Sequence, residues 1–111
     1  MAYDEKLASR VRKLLRNEKN SGEKKMFGGL AFMLNGSMCC GVIQNLLVAR
    51  VGPDNYESAL KEPHTRPMDF TGRPMKGYVY VEPGGYESDE ELRKWLDRSI
   101  EFVSSIPRRT K

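Results

Sequence analysis

Histidine and cysteine are scarce in this chain of 111 residues, which limits the catalytic and metal sites that it can build. Its single histidine is His64, and its two cysteines are Cys39 and Cys40. Serine and cysteine nucleophiles usually need a histidine as their base, but His64 lies in a proline-containing segment where a solvated side chain is the simpler interpretation. A zinc site needs about four ligands at suitable spacings, which these residues do not offer. We therefore predict no catalytic residue and no metal site.

Glycine-rich phosphate loops of the G-x-G-x-x-G and P-loop kinds are absent as well. The pair Gly84-Gly85 precedes a helix-like segment, but that segment begins with Asp89, Glu90 and Glu91. Acidic side chains in a first helical turn repel a phosphate from the helix N-terminus. We therefore predict no cofactor, and we expect that the protein is not an enzyme.

Long apolar runs are also missing. The longest, residues 30–34 and 46–49, are strand-sized and fall far below the roughly 20 residues that cross a bilayer. The first residues include acids and lack the apolar core of a secretory signal. Cys39 and Cys40 are neighbours, so a mutual disulfide would be strained on a strand, and we expect one to be buried and the other to face a helix or solvent. We therefore expect a reduced, cytoplasmic protein without membrane contact.

Basic residues outnumber acidic ones, and the two kinds of charge are unevenly distributed along the chain. The formal net charge is +4, from 19 basic and 15 acidic residues. Residues 1–25 hold eight basic and four acidic side chains, residues 82–101 hold three and seven, and the C-terminal tail 107–111 is basic. A basic helix and tail are one signature of nucleic-acid binding, whereas a solvated helix face and a disordered tail are the alternative. The candidate nucleic-acid-binding residues are Arg10, Arg12, Lys13, Arg16, Arg108 and Arg109.

The pattern at the start of the chain predicts a helix over residues 4–16. Its apolar residues recur at helical spacing, and they are Leu7, Val11, Leu14 and Leu15. Asp4 is a plausible N-cap. The polar residues 17–25 predict a mobile loop, after which Gly28-Gly29 would let the chain turn tightly into a strand.

The rest of the chain predicts an antiparallel sheet with two more helices. Strands are expected at 30–34, 38–43, 46–51 and 75–81, with turns at Asn35-Gly36 and Gln44-Asn45. Capping boxes indicate helices, one over 54–62 from Asp54 and Glu57, and a final one from Ser88 and Glu91 that ends before Pro107. The segment 63–74 is expected to be irregular, with room for an edge strand around 68–71.

Together these elements predict one domain, 1–111, of the α+β class. We expect two layers, in which helices cover an antiparallel sheet of about five strands, and the order α-β-β-β-α-β-β-α. Trp95 falls on the apolar side of the final helix and is expected in the core, whereas Tyr78, Tyr80 and Tyr86 are expected either in the core or on an exposed partner surface.

Several short strings resemble the N-terminal domain of the TfoX/Sxy competence-regulator family. They are Met26-Phe27-Gly28-Gly29, Arg50-Val51-Gly52, Gly72-Arg73-Pro74-Met75, and Glu91-Leu92 with Trp95-Leu96. The resemblance implies an antiparallel sheet covered by helices, similar to secretion-chaperone-like domains. It also implies a role beside the cyclic-AMP receptor protein in activating competence genes. The full regulators carry a second, helical domain after this one, so we expect a stand-alone form here.

Basic residues in or near these strings are the candidates for contact with a protein partner. Arg50 and Arg73 carry guanidinium groups suited to carboxylates or phosphates, and Lys76 follows Arg73 closely. An internal ion pair is the alternative role. We expect a non-enzymatic regulatory or adaptor domain that binds a protein partner through a sheet face or edge, and a homodimer would use the same kind of edge. The alternative is a nucleic-acid-binding module that uses the basic helix and tail.

Overall fold

The computed structural model describes residues 3–16, 18, 21–26, 28–34, 36–69, 72 and 76–105. Within them lie the helices α1 (Glu5–Leu14), α2 (Tyr56–Leu60) and α3 (Asp89–Ser105). The strands are β1 (Ser21–Met26), β2 (Gly29–Leu34), β3 (Ser37–Ile43), β4 (Leu46–Arg50), β5 (Thr65–Pro67) and β6 (Tyr78–Val81). All six strands form one antiparallel sheet in the order β1-β2-β3-β4-β6-β5. The predicted α+β class is confirmed, with six strands instead of about five.

The extra strand is β1, where a mobile loop over 17–25 was predicted. β1 pairs with β2 over its full length, from Ser21 opposite Leu34 to Met26 opposite Gly29. Residues 21–25 all have exposed side chains, so the strand has no apolar alternation, although its backbone pairing is complete on one side. The loop prediction was wrong because it relied on side-chain polarity, whereas this strand is stabilised by backbone hydrogen bonds to β2.

The predicted meander of β2, β3 and β4 is confirmed. Leu34 lies opposite Ser37 and Ile43 lies opposite Leu46, so both connections are two-residue turns. Cys39 is an extra residue in β3, because Phe32 pairs with Cys40 while Met33 pairs with Met38. Such a β-bulge interrupts the alternation of side chains. Both cysteines are therefore fully buried in the helix-side core, so of the two alternatives for the second cysteine, a helix or solvent, the structure has the helix side.

Helices α1 and α3 cover one face of the sheet and bury most of the core. Asp4 caps α1 as predicted, since its carboxylate accepts from the backbone N–H groups of Lys6 and Leu7 at 2.8 and 3.2 Å. The helix-side core is apolar; it includes Leu7, Val11, Phe32, Val42, Leu47, Leu92, Trp95 and Leu96. Trp95 and Tyr86 belong to it, which settles two of the aromatic residues as core residues.

The other face of the sheet carries a second, smaller core. Among the described residues it is covered by the segment that follows β5 and not by a helix. It comprises Ala31, Met38, Ile43, Leu46, Val48, Met68 and Tyr80, with Met33 and Tyr78 partly buried against it. β5 pairs with β6 at 65–67, and the next residue, Met68, is fully buried. The edge strand thus lies before the range 68–71 where it was expected, since Met68 packs on the sheet face; residues 70 and 71 lie outside the described ones.

Two capping boxes were predicted, and one is present. Ser88 Oγ accepts from the N–H of Glu91 at 3.1 Å, while Glu91 Oε1 accepts from the N–H of Ser88 at 3.2 Å, so α3 begins as predicted. Asp54 lies inside a 3-10 turn, Pro53–Asn55, and the N-cap positions of this turn and of α2 have no side-chain cap hydrogen bond. Proline favours the first position of a helical turn, so the turn starts one residue before Asp54.

Within the described residues, no helix is long and apolar enough to cross a membrane.

Ser99 is a fully buried polar residue of α3, and its hydroxyl has no hydrogen-bond partner among the described residues. An unsatisfied buried hydroxyl destabilises a fold, and alanine has the higher helix propensity. Ser99→Ala is therefore expected to raise the free energy of unfolding by about 1 kcal/mol, measured by urea denaturation. Ser104→Ala, at an exposed position of α3, is the matched control with a smaller expected change. A loss of stability in Ser99→Ala would mean that the hydroxyl is satisfied after all.

Candidate functional site

Arg10 attaches α1 to the start of α3. Its Nη2 donates to the carbonyl oxygens of Tyr86 and Glu87 at 2.9 and 3.2 Å and to the carboxylate of Asp89 at 3.2 Å. The guanidinium carbon also lies 5.8 Å from the centroid of the Tyr86 ring. The Nη2 group of this predicted nucleic-acid-binding residue is therefore hydrogen-bonded to acceptors of the protein itself.

Arg12 connects α1 to β1 through a bidentate ion pair with Glu23. Its Nε and Nη2 donate to the two carboxylate oxygens of Glu23, with 3.0 Å between Nη2 and Oε1. This hydrogen bond lowers the pKa of Glu23 below its ordinary value and raises the pKa of Arg12. A lowered carboxyl pKa stabilises the fold at neutral pH, and the stabilisation is lost as the pH falls through the folded pKa. The contact holds β1 beside the C-terminal half of α1.

Lys13 has an exposed side chain on α1 and Arg16 has one just after the end of that helix, and Lys24 and Lys25 have exposed side chains on the adjacent β1. We call these four residues the basic patch. Sequence reasoning included the two from the helix and missed the two from the strand, because residues 17–25 were predicted to form a loop. The other predicted residues, Arg108 and Arg109, lie outside the described residues.

A groove of about 400 Å³ separates the end of α1 from β1. Its lining comprises Arg12, Leu15, Arg16, Ser21, Gly22, Glu23 and Phe32. Leu15 and Phe32 belong to the core and form an apolar floor, whereas the guanidinium and carboxylate groups stand at its margin. We call it the α1–β1 groove. An apolar floor with a charged margin suits a side chain of mixed character better than a free ion.

The two edges of the sheet differ in what they offer to another strand. The edge formed by β5 is three residues long and ends at Pro67, which has no backbone N–H to donate. The edge formed by β1 is six residues long and contains no proline. Successive residues of a strand direct their backbone N–H and C=O groups to opposite sides. A strand that pairs on one side therefore leaves about half of these groups available on the other. Among the described strands, β1 therefore offers the longer edge with available backbone donors.

The predicted partner-binding residues Arg50 and Lys76 lie at the same end of the sheet. Arg50 Nη1 donates to the carbonyl oxygen of Met38 at 3.1 Å, and its guanidinium lies 5.4 and 5.3 Å from the ring centroids of Tyr78 and Phe102. Lys76 is exposed in the turn that precedes β6. Arg50 thus has a packing role between ring faces, and Lys76 has a solvated position beside it. Arg73, the third predicted residue, lies outside the described residues.

A second cleft, of about 390 Å³, lies near Arg50 between β4 and the end of α3. Its charged lining residues are Asp54, Arg98 and Glu101. Arg98 is already engaged, since it lies 4.6 Å from the centroid of the Trp95 ring and donates to Glu62 at 3.4 Å. The remaining charge in this cleft is acidic, so the cleft and the basic patch have opposite character.

The two cysteines and the histidine do not form a metal site among the described residues. Hydrogen bonding to Cys39 and burial raise the pKa of the Cys40 thiol well above its ordinary value, which keeps it protonated and unreactive. His64 is exposed, with a positive φ of 65°, and its ring approaches Gly84. Within the described parts of the chain, no group of three or more His, Cys, Asp and Glu residues could hold a metal ion.

One signal in the sequence could have revealed β1. Met26 and Gly29 lie opposite each other at the ends of β1 and β2, and Gly28 between them has a φ of 73°. A glycine in that conformation is typical of a two-residue hairpin turn, which needs a strand on each side. The sequence analysis gave Gly28-Gly29 a turn but placed a strand only after it.

One of three comparisons with known proteins finds a match. The model of the TfoX N-terminal domain family matches residues 13–103, a range that runs from the second half of α1 almost to the end of α3 and includes the six strands described above. No curated protein and no solved structure matches the chain, so the expected likeness to secretion chaperones stays a prediction. Because the match covers most of the 111 residues, the chain belongs to the TfoX N-terminal domain family.

Proposed function

We propose that the chain is a non-enzymatic regulatory domain that binds a protein partner through the outer edge of β1, in the control of competence-type genes. Membership of the TfoX N-terminal domain family supports the regulatory role. The observation that carries the binding mode is the difference between the two sheet edges, because only the β1 edge is both long and free of proline within the described strands. Strand addition to such an edge is a common mode of peptide recognition.

The contacts of α1 favour a protein partner over a nucleic acid. Nucleic-acid binding depends on lysine and arginine side chains that are free to neutralise phosphates and so release the counterions condensed on the nucleic acid. Arg10 and Arg12, two of the four basic residues predicted on this helix, instead hydrogen-bond to carbonyl and carboxylate groups of the chain itself. Of the remaining pair, Lys13 is exposed, and Arg16 lines the groove beside β1, a strand edge whose backbone groups suit another strand.

Site-specific crosslinking in cells tests this proposal. A photoreactive benzoylphenylalanine replaces Lys24 on β1, and the matched control replaces Arg93, which is equally solvent-exposed on α3. After irradiation and nuclease treatment, we expect a protein adduct of one defined mass from position 24 and none of that mass from position 93. Adducts that disappear with nuclease, or that form equally at both positions, would contradict partner binding through β1.

The regulatory part of the proposal has its own measurement. Deletion of the gene is expected to change the transcript levels of competence-type genes in the host, and the wild-type chain is expected to restore them. A variant with Lys24→Glu and Lys25→Glu should fold but fail to restore them. Unchanged transcripts after deletion would show that the domain acts elsewhere, even if a crosslinked partner exists.

A further inference from the structure

We infer that the β1 edge accepts an acidic, extended segment of the partner protein, which adds as a further strand and places one apolar side chain in the α1–β1 groove. The inference deepens the proposed function and rests on it. It specifies the chemistry of the partner segment: backbone pairing, negative charge, and an apolar residue among the acidic ones.

Charge complementarity is the first argument. The exposed basic side chains of β1 are Lys24 and Lys25, which flank its outer edge on opposite faces of the sheet, and Arg16 lines the α1–β1 groove beside the strand. The carboxylate on the same strand, Glu23, is already paired with Arg12, so it offers little repulsion to an incoming acid. Unlike charges attract across neighbouring strands, whereas like charges directly opposite each other destabilise the pairing. A strand rich in glutamate or aspartate therefore fits this edge, and a basic strand does not.

The position of the α1–β1 groove is the second argument. Glu23 lies opposite Phe32 in the β1–β2 register, and Phe32 forms part of the groove floor. The groove thus lies on the helix side of the sheet, beside the first half of β1. Gly22 lines the groove without a side chain of its own. Alternate side chains of an added strand point to this side, and one of them can reach the apolar floor.

A second copy of this chain fits the edge less well. Two β1 strands related by a twofold axis perpendicular to the sheet would pair antiparallel, with a residue near the axis facing its own copy. At the middle of β1 that residue is Glu23 or Lys24. A register centred on Lys24 sets two like charges directly opposite each other, which is destabilising, and a register centred on Glu23 gains no attraction, because each carboxylate is already paired with its own Arg12. A segment of opposite charge is therefore favoured over the predicted homodimer.

Synthetic peptides test the inference with the full chain. The probes are a fluorescent heptapeptide of alternating glutamate and valine and its counterpart of alternating lysine and valine. We expect the acidic peptide to bind at least about tenfold more tightly in fluorescence anisotropy. Lys24→Glu should weaken its binding by a similar factor, whereas Lys61→Glu, an equal charge change at an exposed position beyond α2, should have little effect. Equal binding of the two peptides would overturn the inference.

Backbone methylation separates strand addition from simple charge attraction. Two analogues of the acidic peptide carry three N-methyl groups each, one analogue at positions 2, 4 and 6 and the other at positions 3, 5 and 7, so that their charge and composition are identical. In an added strand only one alternation faces β1. We therefore expect one analogue to lose binding and the other to retain it. If both bind as well as the parent peptide, the contact is electrostatic only and the inference is wrong.

The remaining outcomes distinguish this inference from the proposed function. If position 24 crosslinks to a protein in cells but the acidic peptide does not bind, the partner chemistry is wrong and the proposed function stands. If the acidic peptide binds but cells give no adduct at position 24, the edge chemistry stands and the proposed function fails. A dimer at micromolar concentration that the acidic peptide cannot displace would make a second copy the occupant. Tighter binding of a short DNA duplex than of the acidic peptide would make the basic patch a nucleic-acid surface. Either of these last two results, the dimer or the duplex, would overturn the inference.

Discussion

Gly29→Ala is expected to lower the free energy of unfolding by about 3 kcal/mol. An alanine Cβ at this position would lie 2.2 Å from the carbonyl oxygen of Val42 and 3.2 Å from the Cα of Ile43. Both contacts are with backbone, so no side-chain rotation relieves them, and the start of β2 must move away from the end of β3. Domains of this size have a total stability of roughly 5–15 kcal/mol. Thermal denaturation should therefore show a midpoint lower by at least about 10 °C.

Two neighbouring glycines separate the causes of this loss. Gly28→Ala meets no atom within 4 Å but forces alanine to a φ of 73°, which costs about 1 kcal/mol through backbone strain. Gly22→Ala meets neither a close atom nor a positive φ and should change the stability by less than about 0.5 kcal/mol. The expected order of stability is Gly22→Ala, then Gly28→Ala, then Gly29→Ala. A Gly29 variant as stable as the Gly22 variant would mean that β2 and β3 do not approach as closely as described.

Elements with local signals were predictable from the sequence. Asp4 and the Ser88–Glu91 capping box mark the starts of α1 and α3, because a cap involves residues only two or three positions apart. The hairpins that join β2, β3 and β4 follow from short turns between apolar strands. In each case the stabilising contacts lie within a few residues of each other, so the pattern is visible in the sequence.

Elements that depend on distant contacts were not predictable in this way. β1 has exposed side chains on residues 21–25, so hydrophobic periodicity gives no sign of it, and its stability comes from a ladder to β2. The bulge at Cys39 likewise appears only in the pairing register of β2 and β3. A single insertion of this kind reverses the expected facing of the neighbouring side chain.

The candidate site shows the same limitation for charges. The sequence makes the first helix basic, but it does not show that Arg10 meets Asp89, which lies 79 positions further along the chain. Nor does it show that Arg12 is paired with Glu23. The charge that remains for a partner is therefore different from the charge counted along the helix. It includes Lys24 and Lys25, which the pairing of β1 with β2 places at the edge of the sheet.

Met68→Ala is expected to lower the free energy of unfolding by about 3 kcal/mol, because this side chain is fully buried in the core on the face of the sheet away from the helices. Unlike the helix-side core, this core depends on the short segment around β5, and Met68 follows that strand directly. Its removal leaves a cavity beside Val48 and Tyr80, which belong to the same cluster. Chemical denaturation measures the loss, and amide hydrogen exchange should show the earliest opening at β5.

Met33→Ala is the matched control, since Met33 packs against the same cluster but is only partly buried. Its truncation removes the same atoms with less area lost from contact, so the expected cost is about 1 kcal/mol. If both variants lose the same stability, the segment around Met68 does not cover the sheet as described. If Met68→Ala loses much more, that segment is a structural layer of the fold. The β1 edge, at the far side of the sheet from β5, should then bind the acidic peptide unchanged in the Met68 variant, because five strands retain their pairing with their neighbours when β5 opens.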